Sequence, residues 1–293
     1  MTRKASSDRQ GLVGTSFAGA DLCGSRFVRA ELREAVFAES NLREALFTFA
    51  DLILADFSNS ELEAANLAGC DLTEASLEGA NASRASLARA KLVGANLTGA
   101  NLTEAKLVEA DLTEAILASA NLTKATAPGA IFNRATLEGT NFRLADLSYC
   151  QFIEATARVA NFERAALTNA RMDKLVADDA IFEFADLRGV IMVDCHFARA
   201  NFVGAALAGA QAISCYFEDA DFYWAEMEGF EMLGCHMRGV RYPKKVKIAY
   251  GPKGVKPPEV VPVPLYRKAA TEEERKKFLE AALEVLPPEG RPK

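Results

Sequence analysis

Residues 100–114 read Ala-Asn-Leu-Thr-Glu, Ala-Lys-Leu-Val-Glu and Ala-Asp-Leu-Thr-Glu, which are three consecutive copies of one five-residue pattern. Working outward, a small residue fills most positions whose number ends in 0 or 5, and a large apolar residue fills most positions ending in 2 or 7. This register holds from Thr15 to Gly239, over 45 units, without an insertion or a deletion. Residues 15–239 of the 293 therefore form one continuous repeat architecture rather than ordinary globular domains.

A period of five matches neither an amphipathic α-helix, at 3.6 residues, nor a β-strand, at 2. A unit that turns a corner fits better, because each unit then sends two side chains inward and three outward. Successive coils built from such units would pair their backbones in a parallel ladder with a spacing of about 4.8 Å. The 45 central apolar positions are 21 Leu, 14 Phe, 5 Met and 5 Ala, which predicts a lumen filled by side chains.

The units Ala20-Asp21-Leu22, Ala65-Asn66-Leu67 and Ala110-Asp111-Leu112 resemble the repeat of the pentapeptide-repeat proteins, and the resemblance covers about three quarters of the chain. It implies an all-β solenoid, a right-handed quadrilateral parallel β-helix, in which four units close one coil and residues twenty apart stack. The 45 units would then make about eleven coils. Some members of that family resemble duplex DNA, occupy the DNA-binding saddle of type II topoisomerases and protect their host from inhibitors of these enzymes. Others have no assigned activity and serve as spacers or adaptors.

The pattern ends near residue 240. Five prolines between residues 244 and 266 predict an extended strap. Thr271 and Glu274 have the spacing of a capping box, which predicts a short amphipathic α-helix that ends before a Pro-Pro pair. The predicted divisions are a polar N-terminal arm with the start of the first coil at 1–14, the β-helix at 15–240, the strap at 241–270, the helix at 271–287 and a tail at 288–293.

Charge is distributed unevenly along the chain and around the predicted rod. Residues 1–240 carry a net charge of −12, and residues 241–293 carry +6. Faces 1, 2, 3 and 4, which begin with the central residues Phe17, Leu22, Phe27 and Leu32, have outward net charges of −5, −3, 0 and −6. Faces 4 and 1 are neighbours, so together they form an acidic stripe. Its predicted partner-binding residues are Asp51, Asp71, Glu74, Asp111, Glu114 and Glu154 on face 4, and Glu78, Glu138, Asp178, Asp179, Glu218 and Asp219 on face 1.

No set of residues in the sequence predicts catalysis. His196, Tyr216 and His236 each follow a cysteine at twenty-residue spacing, which at first resembles a metal cluster. The register places the cysteines inside the rod and the histidines outside, so we expect no metal site. A filled lumen also leaves no cleft for a substrate. We therefore expect a protein that is not an enzyme, with no catalytic residue and no cofactor.

The outside of the rod becomes apolar towards its C-terminal end, which predicts an interface. This surface could be covered by the chain's own strap and helix or by a second copy in a homodimer, and the sequence leaves both open. The predicted interface residues are Ile153, Val193, Ile213, Leu233, Tyr223 and Trp224 on the rod, and Phe278, Ala282, Leu283 and Leu286 on the helix.

Two functions remain open at this point. The acidic stripe favours a protein partner with a basic groove, which the resemblance specifies as DNA gyrase or topoisomerase IV and links to antibiotic resistance. The alternative is a structural scaffold or adaptor, whose charge serves only solubility. An acidic rod repels nucleic acid, so we expect no direct DNA binding. Residues 1–10 lack a secretory signal and no run of about 18 apolar residues occurs, so we expect a soluble, cytoplasmic protein without membrane contact.

Overall fold

The computed structural model describes residues 7–242, and in it the chain winds into a parallel β-helix. Each residue whose number ends in 1 or 6 pairs in parallel with the residue twenty positions further on, from Gly11 with Glu31 to Asp221 with Arg241. Four five-residue units therefore make one coil. The predicted period and the parallel ladder are confirmed.

Backbone hydrogen bonds join successive coils and close every ordinary corner. The N–H of Leu12 donates to the carbonyl of Glu31 at 2.7 Å, and the N–H of Glu31 donates back to the carbonyl of Gln10 at 2.9 Å. At a corner, the N–H of Ala20 donates to the carbonyl of Phe17 at 3.1 Å. The residue before each small position has a positive φ, which the third residue of a type II turn requires. All 47 such residues from number 9 to number 239 adopt it, although only 15 of them are glycine.

On face 4 of the C-terminal half, the ladder widens into a four-stranded parallel sheet in the order β1-β2-β3-β4. The unit that follows each strand has Leu175, Cys195, Cys215 or Cys235 in its small position rather than the usual alanine. The strands are β1 at Arg171–Asp173, β2 at Ile191–Val193, β3 at Gln211–Ile213 and β4 at Glu231–Leu233.

The lumen is packed along its length. Central and small residues between Phe27 and Phe222 are almost completely buried. Coil-related phenylalanine rings stack, and Phe162 lies between Phe142 at 4.9 Å and Phe182 at 4.8 Å, measured between ring centroids. Because the inward side chains fill the lumen at this density, their role is to stabilise the rod. Any function must therefore use the outward positions.

Coil geometry extends to both ends of residues 7–242. The N–H of Ser7 donates to the carbonyl of Arg26 at 2.7 Å, so coil geometry is already present before residue 15. At the other end, Tyr242 occupies a central position and its ring stacks on Phe222 at 6.4 Å. The predicted helix at 271–287 and most of the predicted strap lie outside the described residues. Residues 7–242 contain no helix of the length and hydropathy needed to cross a bilayer.

Candidate functional site

The predicted acidic stripe forms two rows of carboxylates on either side of face 1. Because each turn lies at a corner, the two outward residues that follow the central residue of a unit project where two faces meet. Between the rows, the ladder positions of face 1 are uncharged from Ser76 to Val176. One row comprises Asp51, Asp71, Glu74, Asp111, Glu114 and Glu154, on face 4 and its corner with face 1. The other comprises Glu78, Glu138, Asp178, Asp179, Glu218 and Asp219, at the corner of faces 1 and 2.

Ion pairs, most of them between neighbouring coils, neutralise part of both rows. All five basic residues of face 4, and two of the three on face 1, pair with carboxylates of the same face. Six predicted stripe residues take part, namely Asp51, Asp71, Glu114, Glu154, Asp178 and Asp179. Within residues 7–242 the other six form no ion pair, so they carry much of the net negative charge: Glu74, Glu78, Asp111, Glu138, Glu218 and Asp219.

The pKa values of two stripe carboxylates show that they stay charged at neutral pH. Partial burial raises the pKa of Asp71, but hydrogen bonds from Thr73 and the pairing with Lys91 outweigh it, and the net pKa is lowered. The pKa of Asp179 is lowered mainly by two hydrogen bonds from Arg199, at 2.7 and 2.6 Å. These two carboxylates therefore remain anionic at physiological pH.

A second feature of the surface is an aromatic corner between faces 2 and 3, formed by Phe184, Gly204, Tyr223 and Trp224. Phe184 is 46% exposed and Trp224 is 65% exposed. The ring of Phe184 lies over Gly204, 2.5 Å from where a Cβ would be, and the guanidinium of Arg164 lies 5.8 Å from the ring centroid. The Tyr223 and Trp224 rings are 4.9 Å apart.

The sequence interpretation identified Trp224 and Tyr223 at this corner but missed the Arg164–Phe184–Gly204 arrangement. The same arrangement occurs near the other end of the rod, where Phe49 lies over Gly69 and the guanidinium of Arg29 is 5.8 Å from its ring. The twenty-residue spacing of Arg, Phe and Gly is a signal that the sequence alone contains.

The residues of the predicted capping or dimer interface differ in exposure. Ile213 is only 1% exposed, because it lies between Val193 of β2 and Leu233 of β4, and it offers little surface to a partner. Ile153, Val193, Leu233 and Tyr223 are half-buried, and Trp224 is exposed. The four predicted helix residues of this interface lie outside the described residues: Phe278, Ala282, Leu283 and Leu286.

The histidine and cysteine columns lie where the register places them. His196, Tyr216 and His236 stack outside the rod with ring centroids 4.5 and 4.4 Å apart. Cys195, Cys215 and Cys235 are buried, and burial raises the pKa of the Cys215 thiol well above its usual value. Among residues 7–242, no cluster of three or more His, Cys, Asp or Glu residues could hold a metal ion.

The family model described as pentapeptide repeats (8 copies) matches a series of overlapping segments that runs from residues 12–48 to residues 180–219. No curated protein matches the chain.

Among solved structures, HetL, a pentapeptide-repeat protein involved in heterocyst differentiation regulation in the cyanobacterium Nostoc, is 24% identical, with 83% of this chain and 91% of that chain covered and a TM-score of 0.31. A pentapeptide-repeat protein of the Arabidopsis thaliana thylakoid lumen is 31% identical, covering 34% of this chain and 67% of that chain, with a TM-score of 0.21. Full-length QnrB1, a plasmid-mediated fluoroquinolone resistance protein, is 16% identical, covering 79% and 92%, with a TM-score of 0.21.

Proposed function

Because the chain belongs to the pentapeptide-repeat family, we propose that it is a non-enzymatic binding protein that presents its two carboxylate rows to a protein with a basic groove. The observation that supports this proposal is that carboxylates of faces 1 and 4 outnumber the basic residues that could pair with them. The inward residues are buried in the lumen, and nearly all basic residues of faces 1 and 4 already form ion pairs. An excess of carboxylates then remains along one side of the rod.

The partner we propose is a type II topoisomerase, DNA gyrase or topoisomerase IV, acting in the cytoplasm. Two anionic rows flanking an uncharged strip share their general layout with the two phosphate strands of a DNA duplex. Protein grooves that bind DNA are lined with Lys and Arg, and such grooves attract any anionic rod of suitable width. The protein would then compete with DNA for the enzyme and would not bind DNA itself.

The charge density sets the strength expected of this mimicry. The −11 of faces 1 and 4 is spread over a rod of roughly 50 Å, or about one net charge per 5 Å. Duplex DNA carries one charge per about 1.7 Å, so the rod has roughly one third of its linear density. We therefore expect binding that weakens with salt, but less steeply than DNA binding does.

A gyrase supercoiling assay tests the proposal with matched variants of the full chain. The wild-type protein should inhibit supercoiling, or protect it from an inhibitor, at micromolar concentration. The double variant Glu74→Gln/Asp111→Asn removes two unpaired stripe charges and should weaken this effect. The control is Glu44→Gln/Asp146→Asn, on faces 2 and 3. Glu44 is exposed like Glu74, and Asp146 accepts hydrogen bonds from the backbone and hydroxyl of Ser148 as Asp111 does from Thr113. This variant should match wild type.

A scaffold or adaptor is the second candidate, and the moderate charge density together with the many ion pairs favours it. A surface that serves only solubility does not require a row of carboxylates without cationic partners. Ion pairs between successive coils would also stiffen a rod that acts as a spacer. If wild-type protein has no effect on gyrase or topoisomerase IV at micromolar concentration, the scaffold replaces the binding proposal. If both double variants weaken the effect equally, the acidic stripe is not the binding surface.

A further inference from the structure

The aromatic corner is the most apolar exposed part of the described rod near its C-terminal end. Trp224 and Phe184 expose large ring surfaces two coils apart, and Tyr223 adds a third ring beside Trp224. Contiguous exposed apolar area of this kind marks a surface that another element covers. The question is which element.

The direction of the corner side chains limits the answer. Side chains at this turn position lean towards the coil that follows: Phe184 lies over Gly204, and the carboxylate of Asp219 lies over Gly239. Because Trp224 occupies the equivalent position, the same geometry directs its ring towards the place that residue 244 would take one coil later.

The described residues end one coil spacing beyond this corner. Arg241 pairs with Asp221, and Tyr242 stacks on Phe222, so the backbone is in register on face 2 up to Tyr242. The chain continues for 51 residues, with an excess of basic over acidic side chains.

The first residues of that continuation match the corner in both polarity and charge. Residues 244–250 read Lys-Lys-Val-Lys-Ile-Ala-Tyr, in which Val246, Ile248 and Tyr250 share one parity and would face one side of an extended segment. The segment has three lysines and no acidic residue. Beside Trp224, the exposed Glu226 and Glu228 form no ion pair within residues 7–242.

We propose that residues 244–250 of this chain dock along the aromatic corner. Their apolar side chains cover Trp224 and Phe184. Lys245 and Lys247 leave the opposite side of the segment, and their long side chains reach around its edge to Glu226 and Glu228. Seven extended residues reach roughly 20 Å, whereas three coil spacings, from residue 244 back to Phe184, amount to about 14 Å, so the segment is long enough.

This docking is independent of the proposed topoisomerase partner. The aromatic corner lies between faces 2 and 3, diagonally across the coil from the corner of faces 4 and 1. A basic segment held there leaves face 1 and its flanking carboxylates open. Docking at this corner would therefore keep the basic segment off the acidic stripe.

Trp224 is the single tryptophan of the chain, so its fluorescence reports on this corner alone. In full-length protein, we expect a blue-shifted emission maximum and a low acrylamide quenching constant. The variant Val246→Asp/Ile248→Asp should shift the emission to the red and raise the quenching constant several-fold. The control Val260→Asp/Val263→Asp places the same substitutions further along the chain and should leave both values unchanged.

A charge exchange separates docking from any general effect of the substitutions. Glu226→Lys/Glu228→Lys should release the segment and raise the quenching constant, and adding Lys245→Glu/Lys247→Glu should lower it again. Failure of the second pair to restore protection would overturn the proposed charge contacts. Circular dichroism of each variant verifies that the β-helix is intact.

Two results would overturn the proposal as a whole. Wild-type Trp224 as accessible as a free tryptophan side chain would show that the corner is uncovered. Protection that appears only as protein concentration rises, together with a dimer in analytical ultracentrifugation, would assign the corner to a second copy of the chain. Protection that is independent of concentration and is lost in Val246→Asp/Ile248→Asp supports docking within one chain.

Discussion

Replacing Gly69 by alanine should destabilise the rod through one ring contact, and a second glycine provides a matched control. Gly69 and Gly99 have nearly the same positive φ, +67° and +64°. An added Cβ at Gly99 meets nothing within 4 Å, whereas at Gly69 it would lie 2.5 Å from a ring carbon of Phe49. The difference between the two substitutions therefore isolates the cost of displacing that ring.

The two magnitudes follow from separate physical causes. An alanine in the left-handed region costs about 1–2 kcal/mol, of which roughly 0.5–1 kcal/mol is offset because the unfolded chain also loses freedom. Gly99→Ala should therefore cost about 1 kcal/mol. At Gly69 the ring of Phe49 must swing out, which adds about 1–3 kcal/mol as overpacking usually does, for a total of about 2–4 kcal/mol.

Guanidinium unfolding followed by far-UV circular dichroism measures both changes in the free energy of unfolding. In a Phe49→Ala background the ring is gone, so the further cost of Gly69→Ala should fall to about 1 kcal/mol, the value for the left-handed backbone alone. Equal costs for Gly69→Ala and Gly99→Ala in the wild-type background would refute the reasoning, because the ring of Phe49 would then not lie over Gly69.

Three further predictions concern the lumen, the thiols and the stripe. Phe162→Ala removes a fully buried ring between two stacked neighbours and should lower the free energy of unfolding, measured with denaturant, by about 3–5 kcal/mol. Phe17→Ala, at a half-buried position in the first coils, should lower it clearly less. Equal losses would contradict the packing of the lumen. A thiol reagent should modify only Cys23 of the six cysteines in native protein and all six after unfolding, because the others are buried and burial raises the pKa of Cys70 to about 12; a second reactive native thiol would contradict this. The pKa of Asp71 is lowered in the folded protein, so its charge stabilises the fold fully above the unfolded pKa of about 3.9, and this contribution is lost as pH falls through the folded pKa. Asp71→Asn should therefore destabilise the protein at about pH 7 and hardly at about pH 2. An equal effect at both pH values would contradict the pairing of Asp71 with Lys91.

The inward-facing residues of this structure were predictable because their side-chain types repeat at a fixed spacing. Alternation of alanine with leucine or phenylalanine specifies which residues are buried, and the structure buries them. The ends of the rod were harder to predict because backbone hydrogen bonds extend the ladder where the apolar pattern is absent. Ser7 occupies a central position without an apolar side chain, and Tyr242 was assigned to the strap because a proline follows it.

The outward half depends on side-chain geometry that a face-by-face sum of charge does not contain. Net charge located the acidic stripe, but it could not tell which carboxylates find a cation in the neighbouring coil. Arg43, for example, lies within ion-pair distance of both Glu61 and Glu63. The burial of Ile213 depends likewise on both neighbouring strands rather than on its own position in the repeat.

The pairing of each residue with the one twenty positions later gives insertions and deletions a simple arithmetic. Removing twenty residues would delete one coil and shorten the rod by about 4.8 Å, with every column of side chains restored. Removing five would keep the lumen filled, yet would turn everything beyond the cut by a quarter of the circumference. Half of each carboxylate row would then continue on a different side. In such a rod, an insertion or deletion of twenty residues changes only the length, whereas one of five residues changes which side chains share a face.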